Sequence, residues 1–353
     1  MLVKPPPLLI NPYALSIIVS SLALGTILTL SSYHWILAWI GLEINTLAII
    51  PIITKTPHPR AIEAATKYFL TQAAASALIL FSSILNAYTL GEWAINTPTH
   101  PVSATLLSIA VAIKLGVAPF HFWLPEVLQG STLQTGLILS TWQKLAPIAL
   151  LLQLSQSVNL NLILFLGLLS AIIGGWGGIN QTQIRKILAF SSVAHLGWIV
   201  AILKIFPQLT LLNFFLYILI TSTLFLTFIS LNTKNMYELS TTWSKTPALT
   251  ALSMLSLLSL SGLPPLTGFL PKWLIAQEII KQDIVIYALV ILLSTLLSLF
   301  FYLRLTYSIT ITLAPSLSSS PSLWFNPPKN TLAALIILSL LLLPATPTIV
   351  AII

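Results

Sequence analysis

Charge is scarce in this chain. Only 6% of its 353 residues are Asp, Glu, Lys or Arg, against about 25% in a soluble globular domain, which excludes a chain bathed in water on all sides. Cysteine is absent, so disulfides, iron–sulfur clusters and thiolate metal sites are excluded within the chain. Acidic residues number only seven, with no dense carboxylate cage for a metal and no recognisable nucleophile–base motif. The opening MLVKPPPLLINP lacks the Arg/Ser-rich amphipathic pattern of a cleavable presequence. Insertion then falls to the first spanning helix, or the chain is made beside its membrane. Long polar stretches are missing too: those near 89–103, 232–246 and 314–330 are too short to fold alone.

Apolar residues fill the space that charge leaves. The chain is 57% hydrophobic, and apolar runs of about 20 residues, each able to cross a hydrocarbon core as a helix, recur throughout. The pattern predicts an all-α polytopic membrane protein with about eleven spans: 13–31, 34–54, 61–88, 104–128, 133–153, 159–179, 186–204, 209–231, 246–280, 284–313 and 331–350. Two of them are too interrupted for simple rods. The fourth contains Gly116 and Pro119, and the ninth contains Pro264, Pro265, Gly268 and Pro271.

The net charge of +8 sits in scattered loop residues and forms no phosphate-binding patch, so no nucleic-acid partner is expected. Those residues set topology instead. Lys4, Lys55, Arg60, Arg185, Lys186, Lys234, Lys245 and Lys329 fall on the N-terminal side, against Lys204 and Lys281 on the other. Basic loops stay in the compartment of synthesis, which places the N-terminus there and the C-terminus opposite.

Polar residues also echo at a nearly constant interval. Glu43 and His195, Lys114 and Lys272, and Lys144 and Arg304 are separated by 152, 158 and 160 residues. An offset of five spans suggests two inverted five-helix repeats, at 13–153 and 154–313. They are preceded by an extension, 1–12, and followed by a Pro/Ser linker, 314–330, and a last helix in 331–353.

A charged side chain at mid-bilayer costs about 2.5–3.5 kcal/mol on insertion scales and usually marks a transport path. Glu43, Lys114, Lys144, Lys272 and His195 are the candidates here. Lysine suits proton work because leaving water favours its neutral amine while a nearby carboxylate favours the cation. Arginine stays protonated, which makes Arg304 the poorer candidate. The helix breaks free backbone groups at membrane depth, which survive only against protein or water; both breaks therefore predict a small hydrated cavity beside a lysine. In TWQKLAP, Pro147 repeats the idea three residues after Lys144.

Blander readings stand beside these. Glu43 can serve a helix–helix hydrogen bond, the lysines can snorkel, His195 can be a packed histidine, and His121 lies closer to a helix end. Glu63 and Lys67 have the spacing of a surface pair, Glu126 is expected to be solvated or to meet a partner, and GGWGG at 174–178 is expected to allow close helix packing.

The stretches WIGLEINTLAIIP (39–51), EAATKYFLTQA (63–73), KLGVAPFHFWLPEVLQG (114–130), TWQKLAP (141–147), GGWGGINQTQIRKILAFSSVAHLGW (174–198) and LSGLPPLTGFLPKW (260–273) resemble the proton-translocating antiporter-like subunits of respiratory complex I. The resemblance implies a mitochondrial inner-membrane subunit with its N-terminus in the matrix and its C-terminus in the intermembrane space. It implies Glu43 and Lys144 as paired acid and base, Lys114 as the lysine of the first broken helix, Lys272 as the exit-side lysine of the second, and His195 as a link in a central hydrated axis. It further implies neighbouring antiporter-like and other complex I membrane subunits as partners, together with the lipid bilayer. No cofactor is expected on this chain, with NADH, FMN, iron–sulfur clusters and ubiquinone on other subunits. Family members begin near Met-Asn-Pro, which falls at Ile10-Asn11-Pro12, so residues 1–9 are given no function. Two other classes remain open: a structural spacer whose polar groups are satisfied internally, and an independent cation/proton antiporter.

Overall fold

The computed structural model describes residues 11–55, 58–97, 99–244, 246–311 and 330–341. The first ten residues, most of the linker at 314–330 and the end of the last span lie outside the described residues, as do Lys4, Lys245 and Lys329. The chain divides into two compact units, Met1–Ile163 and Leu164–Ile353. Every extended element among the described residues is helical, with two isolated bridges, His34 to Ala94 and Gln183 to Asn235.

In the first unit α1 (Pro12–Ser31), α2 (Trp35–Ile53) and α3 (Pro59–Leu90) are continuous. The fourth span is split into α4 (Pro101–Leu115) and α5 (Trp123–Gly130), and the fifth into α6 (Leu133–Ser140) and α7 (Trp142–Gln153). The helix starts follow from the sequence. Pro59 and Pro101 stand in first turns, where a missing N–H costs nothing. The Nδ1 atoms of His58 and His100 accept the backbone N–H groups of Arg60 and Val102 at 3.1 and 3.3 Å, and His34 caps α2 by accepting from Ile36 at 3.2 Å. Three histidines are thereby used as N-caps. The helices α1 and α2 approach so closely that a Cβ on Gly25 would sit 2.9 Å from the Gly41 carbonyl oxygen, and one on Gly41 2.9 Å from that of Gly25. Small residues permit such contact between membrane helices.

The unit boundary falls inside α8 (Leu160–Gly178). The second unit continues with α9 (Ile184–Ile202), α10 (Pro207–Leu231), a short α11 (Met236–Ser240) with a 3-10 turn at Thr241–Ser244, α12 (Pro247–Ser261), α13 (Phe269–Lys281), α14 (Val285–Thr310) and α15 (Asn330–Leu341). The central post is α9, buried from Ile187 to Leu203 except at Phe190 and His195. The GGWGG stretch packs as expected: a Cβ on Gly174 would lie 2.5 Å from the Ala194 nitrogen, and one on Gly175 2.8 Å from Leu297 Cβ, so α8 fits between α9 and α14.

Among the described residues, eight segments are long and apolar enough to cross a membrane, the bent fifth span (Leu133–Gln153) among them; the halves of the fourth and ninth spans are shorter. One local expectation is corrected. The fifth span is interrupted before Lys144, at Thr141 (φ −114°, ψ −69°), whereas Pro147 lies inside α7. A proline ring crowds the carbonyl one turn upstream, here that of Gln143, so the distortion appears on the N-terminal side of the proline. Glu126 is exposed, as expected, and its carboxylate also pairs with Lys67, which holds Glu63 as well.

Candidate functional site

The first unit encloses a cavity of about 20 Å³. Helix α2 brings Asn45 and Thr46 to it, α3 brings Tyr68 and Gln72, α4 brings Lys114, α5 brings Trp123, and α7 brings Gln143 and Lys144. Lys114 is 6% exposed and Lys144 2%. Glu43, half-buried one turn before Thr46, accepts a hydrogen bond from the Thr46 hydroxyl at 3.1 Å. Its carboxylate is close enough to act electrostatically on both Lys114 and Tyr68. The Lys114 ammonium donates no hydrogen bond to the described residues, and Asn45 Oδ1 and Gln72 Nε2 are likewise buried without a partner. Buried polar atoms are normally satisfied by protein or ordered water, and a cavity above roughly 10–15 Å³ holds one water.

The two lysines sit at opposite kinds of helix end. Lys114 is in the last turn of α4, which stops at Gly116 with φ 77°. Carbonyl-rich C-termini favour a cation by about 0.3–1 kcal/mol. Lys144 is in the first turn of α7, where the same dipole opposes one. The carbonyl of Ile113, next to Lys114, accepts a hydrogen bond from the Trp123 indole at 3.1 Å. The Trp123 ring meets Tyr68 edge-on at 5.6 Å.

The second unit holds a smaller cavity of about 10 Å³, lined by His195 and Trp198 of α9, Lys272 of α13, and Ser294, Thr295 and Ser298 of α14, with Ala171 and Ala194. Lys272 is on the far side of its break. Its ammonium donates to the carbonyls of Ser261 at 2.7 Å and Leu260 at 3.4 Å, at the end of α12. Gly262 makes the room: its φ is 86°, and a Cβ there would lie 2.9 Å from Lys272 Nζ.

The five sequence candidates therefore fall into two groups. Lys114 and Lys144 share one cavity with Glu43 beside it, and His195 and Lys272 share another. Arg304 donates to the Ile179 carbonyl at 2.7 Å, tying the end of α14 to the α8–α9 turn. His121 is buried in the first break with its ring 4.4 Å from that of Phe122. The echo between Lys114 and Lys272 is out of register, because one precedes its break and the other follows. Sequence reasoning passed over Tyr68, Gln72 and Gln143. The signal for the first two was present, since they stand four residues apart in EAATKYFLTQA and so share one face of α3.

A family model described as NADH:quinone oxidoreductase/Mrp antiporter, TM, matches residues 32–298, well over half of the chain. The chain belongs to this family. Within it, a second model, the NADH dehydrogenase subunit 2 C-terminus, matches residues 299–350. The NADH-ubiquinone oxidoreductase chain 2 of Aquarana catesbeiana is 60% identical over 340 residues, covering 96% of this chain and 98% of the relative. That of Xenopus laevis is 57% identical over 340 residues, covering 96% and 99%. A solved structure described as respiratory complex I from Thermus thermophilus with bound aureothin contains a chain that superposes with a TM-score of 0.81 at 27% identity, over 94% of this chain and 80% of that one.

Proposed function

We propose that the chain is a core membrane-arm subunit of respiratory complex I in the mitochondrial inner membrane. It translocates protons across that membrane, coupled to electron transfer from NADH to ubiquinone on other subunits, which hold the redox cofactors. The observation that carries this reading is the burial of Lys114 and Lys144 on one cavity, with the Glu43 carboxylate acting on Lys114.

The chemistry follows from those placements. Water in the cavity satisfies the buried polar groups and joins the two amines. Lys114 stands beside a carboxylate at a helix C-terminus and Lys144 at a helix N-terminus, so the two amines meet different local fields along the path. A unit charge arriving 10 Å away shifts such a balance by about 1.7 kcal/mol at an effective dielectric constant of 20, roughly 15- to 20-fold in protonation. In the second unit His195 and Lys272 continue the path, with Lys272 on the exit side. The layout consistent with this role has eleven spans in two inverted five-helix repeats with a final helix, the N-terminus in the matrix and the C-terminus in the intermembrane space. Its support is the excess of basic residues on one side and the break in the fourth and ninth spans.

Glu43→Gln, Lys114→Met and Lys144→Met variants, examined in the intact complex by native gels and by coupled NADH:ubiquinone turnover, test the reading. The expected result is an assembled complex with impaired coupled turnover. Normal turnover in all three contradicts it, and loss of assembly without a turnover defect in the complex that remains identifies a structural spacer.

A further inference from the structure

The loop of the second break, residues 262–268, is folded hard against the helix it leaves. A Cβ on Gly268 would lie 1.7 Å from the Ser259 carbonyl oxygen, and α12 ends at Gly262 with φ 86°. Within the loop Leu266 donates to Leu263 at 3.0 Å and Phe269 to Leu266 at 3.1 Å, while Pro264 and Pro265 have no N–H to offer. Helix α13 then starts after Gly268 without a side-chain cap. Backbone left open in this way at membrane depth persists only against protein or water.

The C-terminal helix supplies part of that cover. It packs on α10 and α12, with Ile336 and Ser339 of α15 buried and Ile337 and Leu338 exposed. The Thr267 hydroxyl donates to the Ser339 carbonyl at 2.5 Å, and both residues are at most 2% exposed. The direction of that bond sets Thr267 apart. Ser256, Ser259 and Ser261 of α12 donate to carbonyls three residues back, the local habit of such hydroxyls in a helix, and the Ser339 hydroxyl does the same to Ile336. Thr267 instead reaches 72 residues along the chain. A helix that merely filled space beside the break would need no such donor, and valine would bury nearly the same shape with no hydroxyl to satisfy.

We infer that α15 latches the second break: Thr267, bonded to Ser339, is a positioning residue that fixes the 262–268 loop and so the reach of Lys272 to the end of α12. Lys272 lies in the first turn of α13, just beyond the loop, and its ammonium spans back to the Ser261 and Leu260 carbonyls at 2.7 and 3.4 Å. The loop carries α13 relative to α12, so a loop free to shift would change those distances. The consequence for turnover rests on the role proposed above for Lys272.

The test is the intact complex carrying Thr267→Val, which keeps the shape and removes the donor, and separately Thr267→Ser, which keeps the donor. The latch predicts that Thr267→Val assembles and exchanges amide hydrogen faster than the unsubstituted complex across 262–269, but not across 116–123 in the first break. Its coupled turnover falls about threefold or more, with a shifted pH profile, and Thr267→Ser behaves as the unsubstituted complex in all three respects. Unaltered exchange in an assembled Thr267→Val complex overturns the latch. Faster exchange with unaltered turnover and pH profile overturns the positioning of Lys272 where Lys272→Met is itself impaired. Where Lys272→Met also turns over normally, the latch stands and the role proposed for Lys272 falls. If Thr267→Val does not assemble, Thr267→Cys, with its weakly donating thiol, decides by the same criteria. Failure of both to assemble overturns the positioning role and leaves Thr267 a folding contact.

Discussion

At the first break α4 ends on a left-handed Gly116, and the neutral indole of Trp123 occupies the Ile113 carbonyl. At the second, α12 ends on a left-handed Gly262, and the ammonium of Lys272 occupies the carbonyls of Ser261 and Leu260. Both satisfy backbone freed at membrane depth, but with different donors. Where a tryptophan does so, the neighbouring lysine keeps its ammonium clear of protein acceptors and beside a polar cavity. Where the lysine does so itself, its ammonium is tied to the end of the helix before the break. A lysine at a helix break therefore caps freed carbonyls in one region and faces a polar cavity without a protein acceptor in the other.

Under the proposed function, substitution of Lys114 gives the largest effect. Lys114→Met is expected to lower coupled turnover on the order of a hundredfold, the range for losing a proton-transfer group, with assembly retained on native gels. Lys272→Met is expected to act differently: it leaves carbonyls at the end of α12 unpaired, destabilising the subunit by about 1–3 kcal/mol, seen as a lower unfolding temperature of the complex alongside any loss of turnover. A stable, fully assembled Lys272→Met complex would erase the distinction between the breaks. Gly262→Ala sharpens it. The left-handed backbone costs about 1–2 kcal/mol for an L-residue, and the new methyl also presses on the Lys272 ammonium. Gly116→Ala carries the backbone cost with a methyl meeting Leu124 Cδ1 at 3.1 Å, so only Gly262→Ala should change the response to Lys272→Met in a double-mutant cycle. Glu126→Gln should do least, leaving the unfolding temperature nearly unchanged by thermal shift, because the Lys67–Glu126 pair is exposed.

The spans, both breaks and the charged candidates were legible because the bilayer forces each onto the sequence: apolar length for a helix, Gly and Pro for a break, a rare charge for an interior. Proximity was not. Nothing in the sequence says that Gln72 of α3 and Gln143 of α7 line the same cavity as Lys114, since that depends on how the helices are rotated against one another. The pairing of Glu126 with Lys67 was hidden because their separation in the chain exceeds any local pattern.

The most direct measurement is the proton-to-electron ratio of the complex in sealed proteoliposomes, with Lys114→Met set against the unsubstituted complex. A lowered ratio at measurable electron transfer is the predicted result. An unchanged ratio would mean that no proton crosses by way of the Lys114 amine.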